Sequence, residues 1–70
     1  MTKPKFKLGD VVLGGIGNDR QVTIAEGMYM YAGESYSWLE HPPVVDKDQW
    51  FYKLNHSSYW VSEDNIKSLP

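Results

Sequence analysis

Two segments near the ends of the chain constrain its fold more than anything between them. The first is Phe6-Lys7-Leu8-Gly9-Asp10-Val11-Val12. The second is Trp50-Phe51-Tyr52-Lys53-Leu54, a polar turn, then Tyr59-Trp60-Val61-Ser62-Glu63-Asp64-Asn65-Ile66. In the second segment apolar side chains recur with a period of two, which puts alternate residues on opposite faces of a strand. No stretch carries apolar residues at i, i+3, i+4 and i+7 over three turns, so helix signals are poor. β-Branched and aromatic runs bounded by Gly, Pro, Asn and Asp dominate, and the chain reads as all-β. The two ends fit a small, closed barrel. Seventy residues make one domain, 1–70.

The strands follow from the turn residues. The first is expected at 10–13, after a Gly9-Asp10 turn in which the Asp10 carboxylate bonds a nearby backbone amide. Gly14-Gly15-Ile16-Gly17-Asn18-Asp19 is a β-turn loop; a phosphate cradle would need a helix after the glycines, and Arg20 opens a strand instead. That second strand is expected at 20–31. Alternation sends Val22, Ile24, Met28 and Met30 inward and Tyr29 and Tyr31 outward, with a bulge or bend at Gly27 that would flip part of this parity. The final hairpin pairs 50–54 with 59–61 across Asn55-His56-Ser57-Ser58. Trp50, Tyr52 and Leu54 share one face, and Tyr59 and Val61 point to the core, which leaves Phe51 and Trp60 outward. Ser62 then caps one helical turn with acidic residues at its start, and Ile66 and Leu69 plug the barrel end.

The stretch between is different. Residues 33–48 form a long connection or insertion, a feature that is uncommon in a compact domain and often functional. Tyr36-Ser37-Trp38-Leu39 can form a short strand. His41-Pro42-Pro43 cannot lie in a central strand, because proline has no amide to donate, and it should be polyproline-like.

Composition narrows the functions. Seven basic and nine acidic residues give a net charge of −2, with one arginine and scattered lysines. Phosphate neutralisation, the source of sequence-independent nucleic-acid affinity, has little to work with. Cysteine is absent, which excludes disulfides and thiolate metal sites and is compatible with a reducing cytoplasm. No apolar run reaches the ~20 residues that cross a bilayer, and the basic N-terminus has no apolar stretch behind it. The expectation is a cytoplasmic protein with no membrane association. Aromatic content is the exception: ten aromatic residues stand in this short chain, and a core this small cannot hold them all.

With those residues in view, the chain resembles the small SH3-like barrels of bacteria and their phages. The shared pattern is Phe-x-x-Gly-Asp-x-Val from Phe6, the aromatic-x-Tyr-x-Leu strand from Trp50, and the Trp-Val-x-Glu-x-x-Ile segment from Trp60. It covers about half of the chain. The resemblance implies five short, strongly bent strands with a one-turn helix before the last, which would be Lys67-Ser68-Leu69. Such barrels serve as nucleic-acid binders, peptide binders, subunit adaptors and phage accessory proteins, so the likeness speaks to fold more than to function. The Ala-Leu-Tyr-Asp-Tyr motif of eukaryotic peptide-binding relatives is absent. The basic loop of the transcription-factor variety has no counterpart, and 33–48 lies outside the pattern.

No constellation fills two catalytic roles. His56 with Ser57 or Ser58 sits in an exposed turn, without the packing and oxyanion hole a triad needs. His41 precedes two prolines. His41 or His56 with Asp46, Asp48, Glu63 and Asp64 lack the spacing of known metal sites. Glu63 and Asp64 suit the first turn of a short helix. The expectation is a protein that is not an enzyme, with no cofactor and no metal. The aromatic surplus remains. Trp60, Phe51, Trp38 and Tyr36, with Tyr29 and Tyr31 at the margin, can form a patch for a protein or extended peptide, or for a second copy of the chain in a homodimer. Glu34, Glu40 and Asp48 would favour a basic partner. The bland alternative is that the long connection folds over these rings and buries them as a second small core. A nucleic-acid reading would use Lys3, Lys5, Lys7, Arg20 and Lys53 on phosphates, with Trp60 and Phe51 stacked on bases. An accessory subunit of an enzyme is the remaining alternative.

Overall fold

The computed structural model describes residues 2–14 and 20–70. The loop expected at Gly15, Ile16, Gly17, Asn18 and Asp19 lies outside the described residues. The rest is all-β. Strands β1 (Val11–Gly14), β2 (Arg20–Met30), β3 (Gln49–Leu54), β4 (Trp60–Ser62) and β5 (Lys67–Ser68) form one antiparallel sheet in the order β4-β3-β2-β1-β5. A single 3-10 turn, Glu63–Asn65, separates β4 from β5.

The opening turn forms as its residues dictate. The Asp10 carboxylate accepts the Lys7 amide at 2.8 Å, and the Asp10 amide returns to the Lys7 carbonyl at 3.0 Å. Gly9 takes φ +90°, a conformation that side chains with a Cβ resist, and its amide bonds the Ile24 carbonyl at 2.9 Å. The closing turn is equally local. The Ser62 hydroxyl accepts the Asp64 amide at 3.4 Å, and Glu63 and Asp64 occupy the first turn, where the amide ends favour negative charge.

β2 holds the sheet together. Its first part pairs with β1, from Val11↔Thr23 to Gly14↔Arg20; its second part pairs with β3, from Ile24↔Leu54 to Met30↔Gln49. The register slips between Ile24 and Glu26, which leaves Ala25 as the extra residue of a bulge. The interruption therefore falls two residues earlier in the chain than expected, at Ala25 and not at Gly27. Gly27 itself pairs with Tyr52, and a Cβ there would meet the Tyr52 ring at 3.3 Å. The glycine is a seat for that ring.

The bulge changes which side chains face which way. Directly paired residues share a face, so Trp50, Tyr52 and Leu54 carry Tyr29, Gly27 and Ile24 with them. Tyr29 is thus on the inner face, contrary to the alternation read from sequence, and Met28 and Met30 are on the outer face with Phe51. The slip at Ala25 reverses the parity of everything after it. Phe6, Val12, Val22, Ile24, Tyr52, Leu54 and Ile66 form the main core, with Trp50 and Val61 packed against it. Rings continue this face outward: Phe6 to Tyr52, Tyr52 to Trp50, Trp50 to Tyr29 and Tyr29 to Tyr31 are neighbours with centroids 5.2–6.4 Å apart. Leu69 does not plug the barrel with Ile66; it is exposed, beyond the end of β5.

Tyr52 is the centre of this core. It is fully buried, and its hydroxyl donates to Glu63 Oε2 at 2.7 Å, the same oxygen that accepts the Lys5 amide at 3.1 Å. Burial first, and the Glu63 carboxylate second, push the phenol pKa above its ordinary value of 10.0. Tyr52→Phe should lower stability by about 1–2 kcal/mol, read from urea midpoints at unchanged slope. The sign with pH follows from the raised pKa. The folded state keeps a proton that the unfolded chain releases above pH 10.0, so this contribution is complete below that pH and is lost above it. The stability gap between wild type and Tyr52→Phe should be flat up to that point and shrink beyond it.

Candidate functional site

The outer face of β2, β3 and β4 is covered by the connection between β2 and β3. Apolar side chains alternate onto that face: Met28 and Met30 from β2, Phe51 from β3, Trp60 from β4. Met30 and Phe51 are sealed, with 0% and 3% of their surface exposed. Both lie outside the main core. Phe51 points away from Trp50 and Tyr52 as its position in the strand requires, but the connection closes over it.

The connection has no strand of its own. The segment Tyr36-Ser37-Trp38-Leu39 is a turn, closed by the Leu39 amide on the Tyr36 carbonyl at 2.9 Å. With no neighbouring strand to bond, its aromatic composition does not make it a strand. Polar contacts fix the segment instead. The Tyr31 amide donates to the Tyr36 hydroxyl at 2.7 Å, and the Ala32 amide to Asp48 Oδ1 at 2.9 Å. Gln49 Nε2 donates to Asp46 Oδ1 at 3.0 Å, and the Ser62 hydroxyl donates to Gln49 Oε1. Lys47 meets Asp64 at 3.0 Å, a pairing that raises the lysine pKa and lowers that of the carboxyl. His41 stacks on Tyr59, with centroids 4.2 Å apart and planes at 17°. That contact holds Tyr59 outside the core face assigned to it from alternation, where it is 59% exposed.

Two grooves flank the covered area, and Trp60 lines both. One, of about 500 Å³, runs between Val44, Asp46 and Lys47 on one side and Val61, Ser62, Asp64 and Asn65 on the other. The other, of about 360 Å³, is lined by Glu26, Met28, Trp38, Glu40, Lys53 and Trp60 among others. Trp38 is 70% exposed at its rim. Tyr36 braces it, with ring centroids 6.5 Å apart, and the Tyr36 hydroxyl is itself fixed by the Tyr31 amide.

The aromatic set named from sequence therefore divides. Trp60, Trp38 and Tyr36 come together beside the second groove. Phe51, almost fully buried, lies at the floor of the first groove and is not part of this cluster. Tyr29 belongs to the ring series on the inner face with Trp50, and Tyr31, beyond the end of β2, packs on Tyr29 while remaining exposed, as expected. The residues that sequence reasoning missed are Met28, Glu26, Leu39 and Ser58, which line the groove. Only the bulge, which turns Met28 outward, would have placed Met28 there. The basic set does not assemble around Trp60. Lys3, Lys5 and Lys7 lie in the N-terminal arm, Arg20 opens β2, and Lys53 is paired with Glu26 at 3.5 Å. Of the polar candidates, Ser57 caps its own turn by accepting the Tyr59 amide at 3.0 Å, and His56 Nε2 lies 3.2 Å from Asn55 Nδ2. Among the described residues no three His, Asp or Glu side chains stand where they would hold a metal ion, and no helix is long and apolar enough to cross a membrane.

The contrast between surface and sealed rings can be measured. Trp38→Ala should change stability by no more than about 0.5 kcal/mol, as exposed positions do. Phe51→Ala should cost about 3–5 kcal/mol, enough to unfold much of the population of a domain this size. Urea unfolding of the two variants beside wild type gives both values. Trp50, half-buried and donating its indole N–H to the Thr2 carbonyl at 2.7 Å, is intermediate. Comparison with protein-family models, curated proteins and solved structures finds no match to this chain.

Proposed function

We propose that the protein is a non-enzymatic binding module, an SH3-like barrel that takes an extended peptide or a protein loop in the groove between Trp38 and Trp60. The observation that carries this reading is the exposed Trp38 indole, held at the rim of an open groove by Tyr36 and the Tyr36–Leu39 turn. An exposed indole offers large area at the small entropic cost of two side-chain torsions, which is the character of an interface hot spot. The sheet order β4-β3-β2-β1-β5 and the single turn of helix before β5 support the barrel assignment. Absence of cysteine accords with work in a reducing cytoplasm, of a bacterium or its phage on the resemblance stated above.

Charge favours a protein partner over a nucleic acid. Glu26 and Glu40 line the same groove as the two tryptophans, and Lys53, the basic residue opposite Trp60 in the ladder, is neutralised by Glu26. A phosphate backbone tracking the indoles would meet carboxylates. Self-association through the same groove is the remaining form of the proposal, since an apolar patch often closes on a second copy.

Selection of displayed random peptides on the pure protein, with sedimentation equilibrium in parallel, tests this. The expected result is an enriched peptide pool, or a dimer, that is lost on Trp38→Ala while the circular dichroism of the variant matches wild type. A wild-type monomer that enriches no peptide removes the proposal. Enrichment unchanged by Trp38→Ala removes the groove. Oligonucleotide binding that falls steeply with salt would instead establish the nucleic-acid reading.

A further inference from the structure

We infer that the Trp38–Trp60 groove is built for an arginine side chain of the bound peptide, an inference that rests on the peptide-binding reading above. Its lining combines two kinds of group that are complementary to a flat cation, beside one cation of its own, Lys53, whose ammonium is taken up by Glu26. Trp38, Trp60 and Met28 supply polarisable and electron-rich surface, and an indole face attracts a cation within about 6 Å of its centre. Glu26 and Glu40 supply negative charge. These two carboxylates are not equivalent. Glu26 is engaged by the Lys53 ammonium at 3.5 Å. Glu40 is exposed and makes no ion pair or hydrogen bond among the described residues. It is the uncompensated charge of the groove, two residues from Trp38 on the same segment.

A wholly apolar side chain would fill the groove and leave Glu40 unanswered. An acidic one would be repelled. A lysine ammonium answers the charge but is a compact point, strongly hydrated, with no flat surface for an indole. A guanidinium is planar and weakly hydrated. It stacks on an indole and at the same time presents paired N–H donors to a carboxylate at its edge. The geometry supplies both partners: the Trp38 ring, packed on Tyr36, with Trp60 in the same lining, and the carboxylate of Glu40.

The test uses the indole N–H resonances of the three tryptophans in nitrogen-15 spectra of the full chain. Trp50 donates its N–H to Thr2 on the inner face and serves as the internal reference. The probe is acetyl-Gly-Arg-Gly-amide, beside the same tripeptide with citrulline, which keeps the planar shape without the charge, and with lysine. The Trp38 and Trp60 signals should move saturably with the arginine probe, with a dissociation constant on the order of 1 mM for a single anchoring side chain. The Trp50 signal should stay still. The citrulline probe should bind about tenfold more weakly, and the lysine probe more weakly than arginine. Glu40→Gln, an exposed and conservative change, should weaken the arginine probe by about fivefold, and added salt should do the same.

Unmoved Trp38 and Trp60 signals overturn the inference, as does citrulline or lysine binding as well as arginine. The peptide selection separates the two claims. An enriched pool that depends on Trp38 but contains no arginine overturns the arginine assignment and leaves the binding module standing. No enriched pool and no dimer removes the binding module, and this inference with it.

Discussion

A phenol hydroxyl inside an apolar core must find an acceptor, and here the acceptor comes from the 3-10 turn that follows the neighbouring strand β4. Tyr52 sits mid-strand in β3, seated on Gly27, with Phe6 edge-on at 5.5 Å, and its hydroxyl reaches the Glu63 carboxylate in the 3-10 turn. The same carboxylate oxygen accepts the Lys5 amide. One side chain thus joins the middle of the sheet to the arm that precedes β1 and to the turn that leads into β5. β5 contributes little by itself, being two residues that pair with Val12 and Leu13. Its position depends on Ile66 being buried immediately after the turn that Glu63 anchors. The ends of the chain are brought together by side-chain hydrogen bonds as much as by the ladder.

The second organising feature is the bulge at Ala25. β2 must serve β1 with one part of its length and β3 with the other, and a strand bends between two such ladders most readily where one residue is left unpaired. The geometric consequence reaches well past Ala25. Every side chain from Glu26 to Met30 faces opposite to the way uninterrupted alternation would send it. Tyr29 joins Trp50, and Met28 and Met30 move to the outer side. Two apolar layers result, one within the barrel and one beneath the connection, and the aromatic content of the chain is shared between them.

How much of this was legible depends on the range of the interactions involved. Asp10 and Ser62 were readable because their hydrogen bonds lie within a few residues and follow from side-chain chemistry alone. The final hairpin was readable from its period of two, and Phe51 was correctly turned away from Trp50 and Tyr52. The position of the bulge was not. Gly27 is the residue with the missing Cβ and so drew attention, but whether a residue is left unpaired depends on register with β3, more than twenty positions away. The misassignment of Tyr29, Met28 and Met30 is that single error carried along the strand. The connection failed for a different reason. Tyr36, Trp38 and Leu39 have strand composition, but a strand needs a neighbour, and no free edge reaches them. Trp38 and Trp60 were identified as surface rings from the aromatic surplus. Glu40 was named with them for its charge, but Met28 was not placed beside them, because the bulge that turns it outward is set by register with β3.

The connection over the outer face is fixed by side chains and turns and has no ladder of its own. Cooperativity should therefore be unequal across the molecule, with the barrel as one unit and this segment as another of lower local stability. Fluctuations that lift the segment would leave the sheet intact while uncovering Met30 and Phe51 on the face that ends at β4, an edge strand of the sheet. A sticky face next to a strand with no further neighbour is a recognised route to unwanted pairing between chains. The polar contacts that tie the segment down thus keep an apolar face shut beside an edge strand, a task quite apart from binding.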